Sequence, residues 1–144
     1  MKNNINREKV TITILNLVKN RKFEEALNLL KNLSDQKEDQ DFSNKIRGMI
    51  YLNQKDWEKS LIYHNKISKE KVNFEISNNI GIALFKLGRF SEASDKFKES
   101  IENRNENIPA YENFCMTNKL LGNYETTIKY SLIALKLMPS NKKI

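Results

Sequence analysis

Apolar positions along the chain fall into short runs at helical spacing, cut by brief polar segments. Ile80, Leu84 and Leu87 recur every three or four residues, and Phe97 and Ile101 do the same after the next polar break. That spacing lines one face of a helix. The break has a repeated form: a short polar turn, an aromatic, then a small residue three positions on. It occurs as Asn20-Arg21-Lys22-Phe23 with Ala26, Lys55-Asp56-Trp57 with Ser60, Leu87-Gly88-Arg89-Phe90 with Ala93, and Leu121-Gly122-Asn123-Tyr124 with Thr127. The aromatics lie 34, 33 and 34 residues apart. Two further slots keep the phase: Leu30, His64, Phe97, Ser131, and Leu33, Ile67, Ser100, Ala134. Gly48, Gly81 and Cys115 fill a small-residue slot seven positions before Lys55, Gly88 and Gly122. A period of this length predicts an all-α chain, an α-solenoid of about four helix-turn-helix repeats.

Each slot has a physical reason. Small residues at Ala26, Gly48, Gly81 and Ala93 let two antiparallel helices approach closely. Phe23, Trp57, Phe90 and Tyr124 supply large apolar area just past the turn and are expected to wedge into the seam between repeats. Gly88 and Gly122 suit a left-handed residue ending the first helix of a repeat. Arg21 and Lys55 stand in that slot elsewhere, where a left-handed conformation costs each about 1 kcal/mol. A single repeat cannot bury its own apolar face, so stacking of neighbours must make the core.

These residues resemble the tetratricopeptide repeat. The third copy matches best, as Ile80-Gly81-x-x-Leu84 and then Gly88-x-Phe90-x-x-Ala93-x-x-x-Phe97. The fourth keeps Tyr111, Gly122, Tyr124, Ala134 and the closing Pro139. The first two depart more, with Ile14 in the small-residue slot and Ser60 in place of alanine. The phase divides the chain into a leader at 1–6, a degenerate first repeat at 7–40, repeats at 41–73, 74–107 and 108–141, and a tail at 142–144, one solenoid domain in all.

Composition narrows the chemistry. The chain has 144 residues, with 20 Asn, 20 Lys and only five Arg, a bias that AT-rich codons alone would produce. Its net charge of +7 is spread thinly: +1 in the leader, +1, +3, −1 and +1 over the four repeats, and +2 in the tail. Scarce Arg and aromatics already assigned to packing argue against nucleic acid. One Cys excludes an internal disulfide and suits a reducing, cytoplasmic setting. No apolar run approaches the length of a membrane span, and Thr11, Thr13 and Asn16 break the apolar stretch that a signal peptide would need. His64 and Cys115 are the only imidazole and thiol, fall in packing slots, and belong to different repeats. Nothing else supplies a metal set, a phosphate loop or a nucleophile elbow. The expectation is a chain without catalysis and without a cofactor.

The resemblance implies a groove lined by the first helix of each repeat, holding an extended peptide or a helix of a partner protein. By register the groove residues are Lys45 and Met49 from the second repeat, Asn78, Asn79, Ile82 and Lys86 from the third, and Asn113, Met116 and Lys119 from the fourth. Asn79 and Asn113 fill equivalent slots; a carboxamide both donates and accepts, so it can pair with any peptide backbone. Met49, Ile82 and Met116 would form an adaptable apolar stripe. Members that grip the acidic C-terminal tails of chaperones use a clamp of Lys, Asn, Asn, Lys and Arg. Over repeats two to four, Lys45 and Asn79 match it but Met49, Pro109 and Asn113 do not. Over repeats one to three, Thr11, Leu15, Ile46, Glu75 and Asn79 supply none of the five, so the clamp is absent.

The C-terminal end is the remaining signal. Ile128, Leu132, Leu135 and Leu137 belong to the last helix, and no capping helix follows them in the sequence. Three readings stay open: a fragment of a longer chain, self-association through this end, or shielding by Lys129 and Lys136. Similar arrays precede sulfotransferase- or glycosyltransferase-like domains, so the resemblance also allows the N-terminal segment of a larger transferase.

Overall fold

The computed structural model describes residues 2–31 and 40–138, with side chains from residue 7 onward. Leu33, Pro139 and the tail at 142–144 lie outside the described residues. Regular structure among the described residues is entirely helical. The order is α1 (Lys2–Lys19), α2 (Phe23–Lys31), α3 (Gln40–Asn53), α4 (Trp57–His64), a 3₁₀ turn at Lys69–Lys71, α5 (Phe74–Lys86), α6 (Phe90–Asn103), α7 (Ile108–Leu120) and α8 (Tyr124–Leu137). Two compact units result, Met1–Lys71 carrying α1 to α4 and Val72–Ile144 carrying α5 to α8. The segment read as a leader is helical from Lys2 on, as the start of α1.

Four turns with one geometry join the helices of each pair. The N–H groups of Lys22, Asp56, Arg89 and Asn123 donate to the carbonyls of Leu17, Tyr51, Leu84 and Asn118, at 2.8, 2.9, 2.9 and 2.9 Å. One residue earlier, Arg21, Lys55, Gly88 and Gly122 donate to carbonyls three positions back. This is the Schellman ending, which satisfies helix carbonyls that have no partner inside the helix. Gly88 and Gly122 adopt φ of 76° and 77°, and Arg21 and Lys55 are held at 58° and 64°. The expected left-handed slot is therefore present at every turn, including the two where a side chain makes it costly.

The core of each unit follows from the small-residue slots. In the first unit Ile14 and Val18 of α1, Ala26 and Leu30 of α2, and Ile46 and Ile50 of α3 form one buried cluster. In the second, Ile76, Ile80, Ala83 and Leu84 of α5 and Ala93, Phe97 and Ile101 of α6 are buried, as are Ala110, Tyr111 and Phe114 of α7. Close approach at the glycines is real: a Cβ on Gly81 would lie 2.5 Å from Phe97 Cε1, and one on Gly48 would lie 2.6 Å from His64. In the fourth pair the same two slots hold Cys115 and Ser131, with Ser131 Oγ 3.4 Å from Sγ.

The wedging aromatics divide into two groups. Phe23 packs against the first unit's core, and Phe90 meets Phe85 of α5 edge-on at 5.2 Å. Tyr124 departs from the expectation, being 64% exposed: the position equivalent to Phe85, 34 residues on, is exposed Lys119 rather than a ring.

Candidate functional site

The two groups capable of chemistry are absorbed into packing. His64 is 1% exposed. Its Nδ1 lies 3.0 Å from the carbonyl of Ser60, which can only accept, so Nδ1 carries the proton and donates. Ser60 Oγ lies 3.3 Å from the same nitrogen and itself donates to the Gly48 carbonyl at 2.8 Å. Nε2 is then a buried acceptor with no partner among the described residues. Burial, with a lesser contribution from the nearby charge of Lys45, holds the imidazole neutral and pushes its pKa down to about 4 from the usual 6.5, against the opposing hydrogen bond to Ser60. Cys115 Sγ donates weakly to the Thr127 carbonyl at 3.7 Å. Among the described residues no three His, Cys, Asp or Glu side chains gather where they could hold a metal, and no helix is long and apolar enough to cross a membrane.

The expected groove residues distribute over both units. Lys45 and Met49 are half-buried on α3, and Met49 packs against the first unit's core, which commits part of its surface to stability. The others share the second unit. Asn78, Asn79 and Ile82 are half-buried on α5 with Lys86 exposed at its end; Asn113 is half-buried on α7, with Met116 and Lys119 exposed. α5 and α7 are joined directly here, because Asn113 Nδ2 donates to Asn78 Oδ1 at 3.2 Å. That bond orients both amides and leaves the remaining N–H groups and the Asn113 oxygen for other partners. Met116 is 48% exposed, although it sits between Asn113 and Lys119 on a helix whose other face holds buried Phe114 and Thr117.

Polar bonds inside the unit keep this face in place. Ser100 Oγ donates to the Phe74 carbonyl at 2.7 Å, Asn107 Nδ2 donates to Ser100 Oγ at 3.0 Å, and Ser77 Oγ donates to Glu99 at 2.9 Å. Deeper, Asn118 is 3% exposed and donates through Nδ2 to Ser94 Oγ at 2.8 Å and to the Phe114 carbonyl at 2.9 Å. Asn123 completes the network by donating to Asn118 Oδ1 at 3.0 Å. Sequence reasoning missed this network; in a chain so rich in Asn, no spacing distinguishes Asn118 from a surface amide.

In the first unit a cavity of about 390 Å³ opens between the α1–α2 and α3–α4 turns. It is lined by Val18, Lys19, Arg21, Phe23, Asn53, Gln54 and Lys55. Its polar lining residues, Lys19, Arg21, Asn53, Gln54 and Lys55, are all exposed.

No family profile matches the chain, and no curated protein matches it in sequence. Solved structures do match it in shape. MamA of strain AMB-1 is similar with a TM-score of 0.72 at 22% identity, covering 85% of this chain and 72% of that one. MamA of strain MSR-1 gives 0.71 at 23%, covering 84% and 70%. MamA of Desulfovibrio magneticus RS-1, from residue 41 to its end, gives 0.79 at 11%, covering 95% and 78%. Helix pairs closed by one repeated turn, together with these likenesses, establish that the chain has the all-α solenoid fold of the tetratricopeptide-repeat proteins.

Proposed function

We propose that the chain is a non-catalytic protein-interaction module, receiving an extended peptide or a helix of a partner on the face made by α5 and α7. The observation that carries this reading is Met116, half-exposed on α7, with half-buried Ile82 on α5 and the amides of Asn78, Asn79 and Asn113 on the same two helices. A thioether adapts to irregular apolar partners, and carboxamides pair with backbone irrespective of its sequence. Lys86 and Lys119 favour a neutral or acidic segment. Lys45 and Met49 take the same role in the second repeat, 41–73, by register. A lone thiol engaged in packing is compatible with a reducing, cytoplasmic setting. The apolar face of α8, uncovered among the described residues, supports self-association as a second contact.

Affinity capture with quantitative mass spectrometry tests the α5–α7 face, comparing wild type with Met116→Glu and with Asn79→Ala/Asn113→Ala. Recovery of specific binders falls about tenfold for the glutamate variant and by a smaller factor for the double alanine variant. Circular dichroism stays unchanged in both. Identical partner sets and affinities overturn the assignment of this face.

A further inference from the structure

We propose that α8 pairs with α8 of a second copy, antiparallel and about a twofold axis near Tyr130 and Ser131, with Glu125 of each copy meeting Lys136 of the other. This rests on the reading of self-association above and specifies its geometry. α8 is apolar on two sides. Its inner side meets α7, with Tyr130 4.7 Å from the ring of Phe114 and Ala134 buried. Its outer side shows Tyr124, Ile128, Leu132 and Leu135, exposed by 64%, 63%, 54% and 62%. At 3.6 residues per turn these four lie within an arc of about 80°. A helix apolar on both sides belongs between two neighbours.

The same slots on α6 show what that side receives. Ile128 and Leu135 stand 34 residues after Ser94 and Ile101, both buried, and Ser94 accepts from Asn118 of α7. On α6, then, the equivalent side receives a helix. On α8 it is bare among the described residues, and Leu132 takes the slot of exposed Lys98, so it is more apolar than its counterpart.

Charge selects the occupant and its direction. Glu125 and Lys136 fall on one flank of the stripe, near opposite ends of α8. In an antiparallel pair related by a twofold axis, each flank meets its own counterpart, so Glu125 comes level with Lys136 twice, and Ile128 and Leu132 straddle the axis. A parallel pair would set this flank against Thr127 and Ser131, which carry no charge. Among the described residues no ion pair engages Glu125 or Lys136 within the chain. The apolar area sets the strength: the exposed surface of Tyr124, Ile128, Leu132 and Leu135 comes to roughly 900 Å² per pair, the size of a weak, reversible contact. Dimerisation in the micromolar range is expected, about three orders of magnitude weaker than a nanomolar complex.

Sedimentation equilibrium of the whole chain from micromolar to millimolar concentration tests the pairing. A reversible dimer is expected, and Ile128→Glu/Leu132→Glu is monomeric throughout with unchanged helicity, since both side chains are mostly exposed. Glu125→Lys weakens the dimer about tenfold at low salt, and adding Lys136→Glu in the same chain restores it. A monomer at every concentration overturns both self-association and this geometry. A dimer lost in the double glutamate variant but indifferent to the charge swap overturns the antiparallel register alone. A dimer lost with Met116→Glu and kept with Ile128→Glu/Leu132→Glu assigns self-association to the other face and overturns the proposal.

Discussion

The helix pairs α3–α4 and α5–α6 occupy the same repeat positions and solve one packing problem with different chemistry. In both, a glycine on the first helix leaves a hole that a ring from the second helix fills: Phe97 over Gly81, and His64 over Gly48. Beside the rings, Ala93 is silent, whereas Ser60 donates to the Gly48 carbonyl. The phenyl ring asks nothing beyond burial. The imidazole must keep one proton, give it to Ser60 O, and leave Nε2 without a described partner. The comparison teaches that, opposite a glycine, the slot takes a flat ring whether that ring is apolar or polar, and that the polar choice adds a dependence on pH.

Phe97→Ala tests the pairs most severely and costs about 3–5 kcal/mol in urea unfolding, because it removes a buried ring and leaves a cavity. His64→Ala costs less, since the transfer gain of an imidazole is smaller; an equal or larger loss in the His64 variant breaks the comparison.

Acid is the next lever. The folded pKa of His64 lies near 4, below the unfolded value of 6.5, so the unfolded chain takes up the proton first as pH falls. The stabilisation is full above pH 6.5 and is lost progressively toward pH 4, by up to about 3 kcal/mol. Asp41, held below the usual range by the Ser68 N–H and hydroxyl, and Asp56, held there by Lys59, make their contributions at lower pH. Urea titrations of His64→Phe should therefore be nearly flat between pH 6.5 and 4.5, where wild type falls. A parallel fall in both would assign the acid response elsewhere.

Turns offer a smaller test. Lys55→Gly and Arg21→Gly relieve left-handed backbone and should each raise stability by about 1 kcal/mol, while Gly88→Ala and Gly122→Ala lower it by a similar amount. No atom lies within 4 Å of a Cβ placed on either glycine, so the measured change reports backbone conformation alone. Smallest is the contrast of caps. Asp56 accepts from the Lys59 N–H at 3.1 Å at the start of α4, whereas Arg89 at the start of α6 makes no cap and instead grips Glu92 at 2.6 and 2.8 Å. Asp56→Ala should cost about 1 kcal/mol, and Arg89→Ala less, because an ion pair in open solvent is screened and contributes little.

Much of this was legible before any coordinate. The phase of Phe23, Trp57, Phe90 and Tyr124 located all four turns, and the departure at Lys55 announced its strained backbone. The candidate face was legible only as a list of positions. Nothing in the spacing of Asn78 and Asn113 tells that their amides bond across two helices, or that Met49 turns toward the core while Met116 faces outward. Tyr124 was expected in a seam because its slot holds packed rings in earlier repeats, and periodicity does not say whether a packing partner stands opposite.

The sequence by itself determined the helices, their endings and the repeat phase, because these rest on hydrogen bonds and steric limits that reach no farther than about five residues along the chain. Only the tertiary structure decided which ring fills which glycine hole, that Asn118 is buried and bonded to Ser94 and Asn123, and that α8 keeps an apolar side open among the described residues. Those outcomes depend on distances between helices and on rotamers chosen by close packing, quantities that no local pattern encodes.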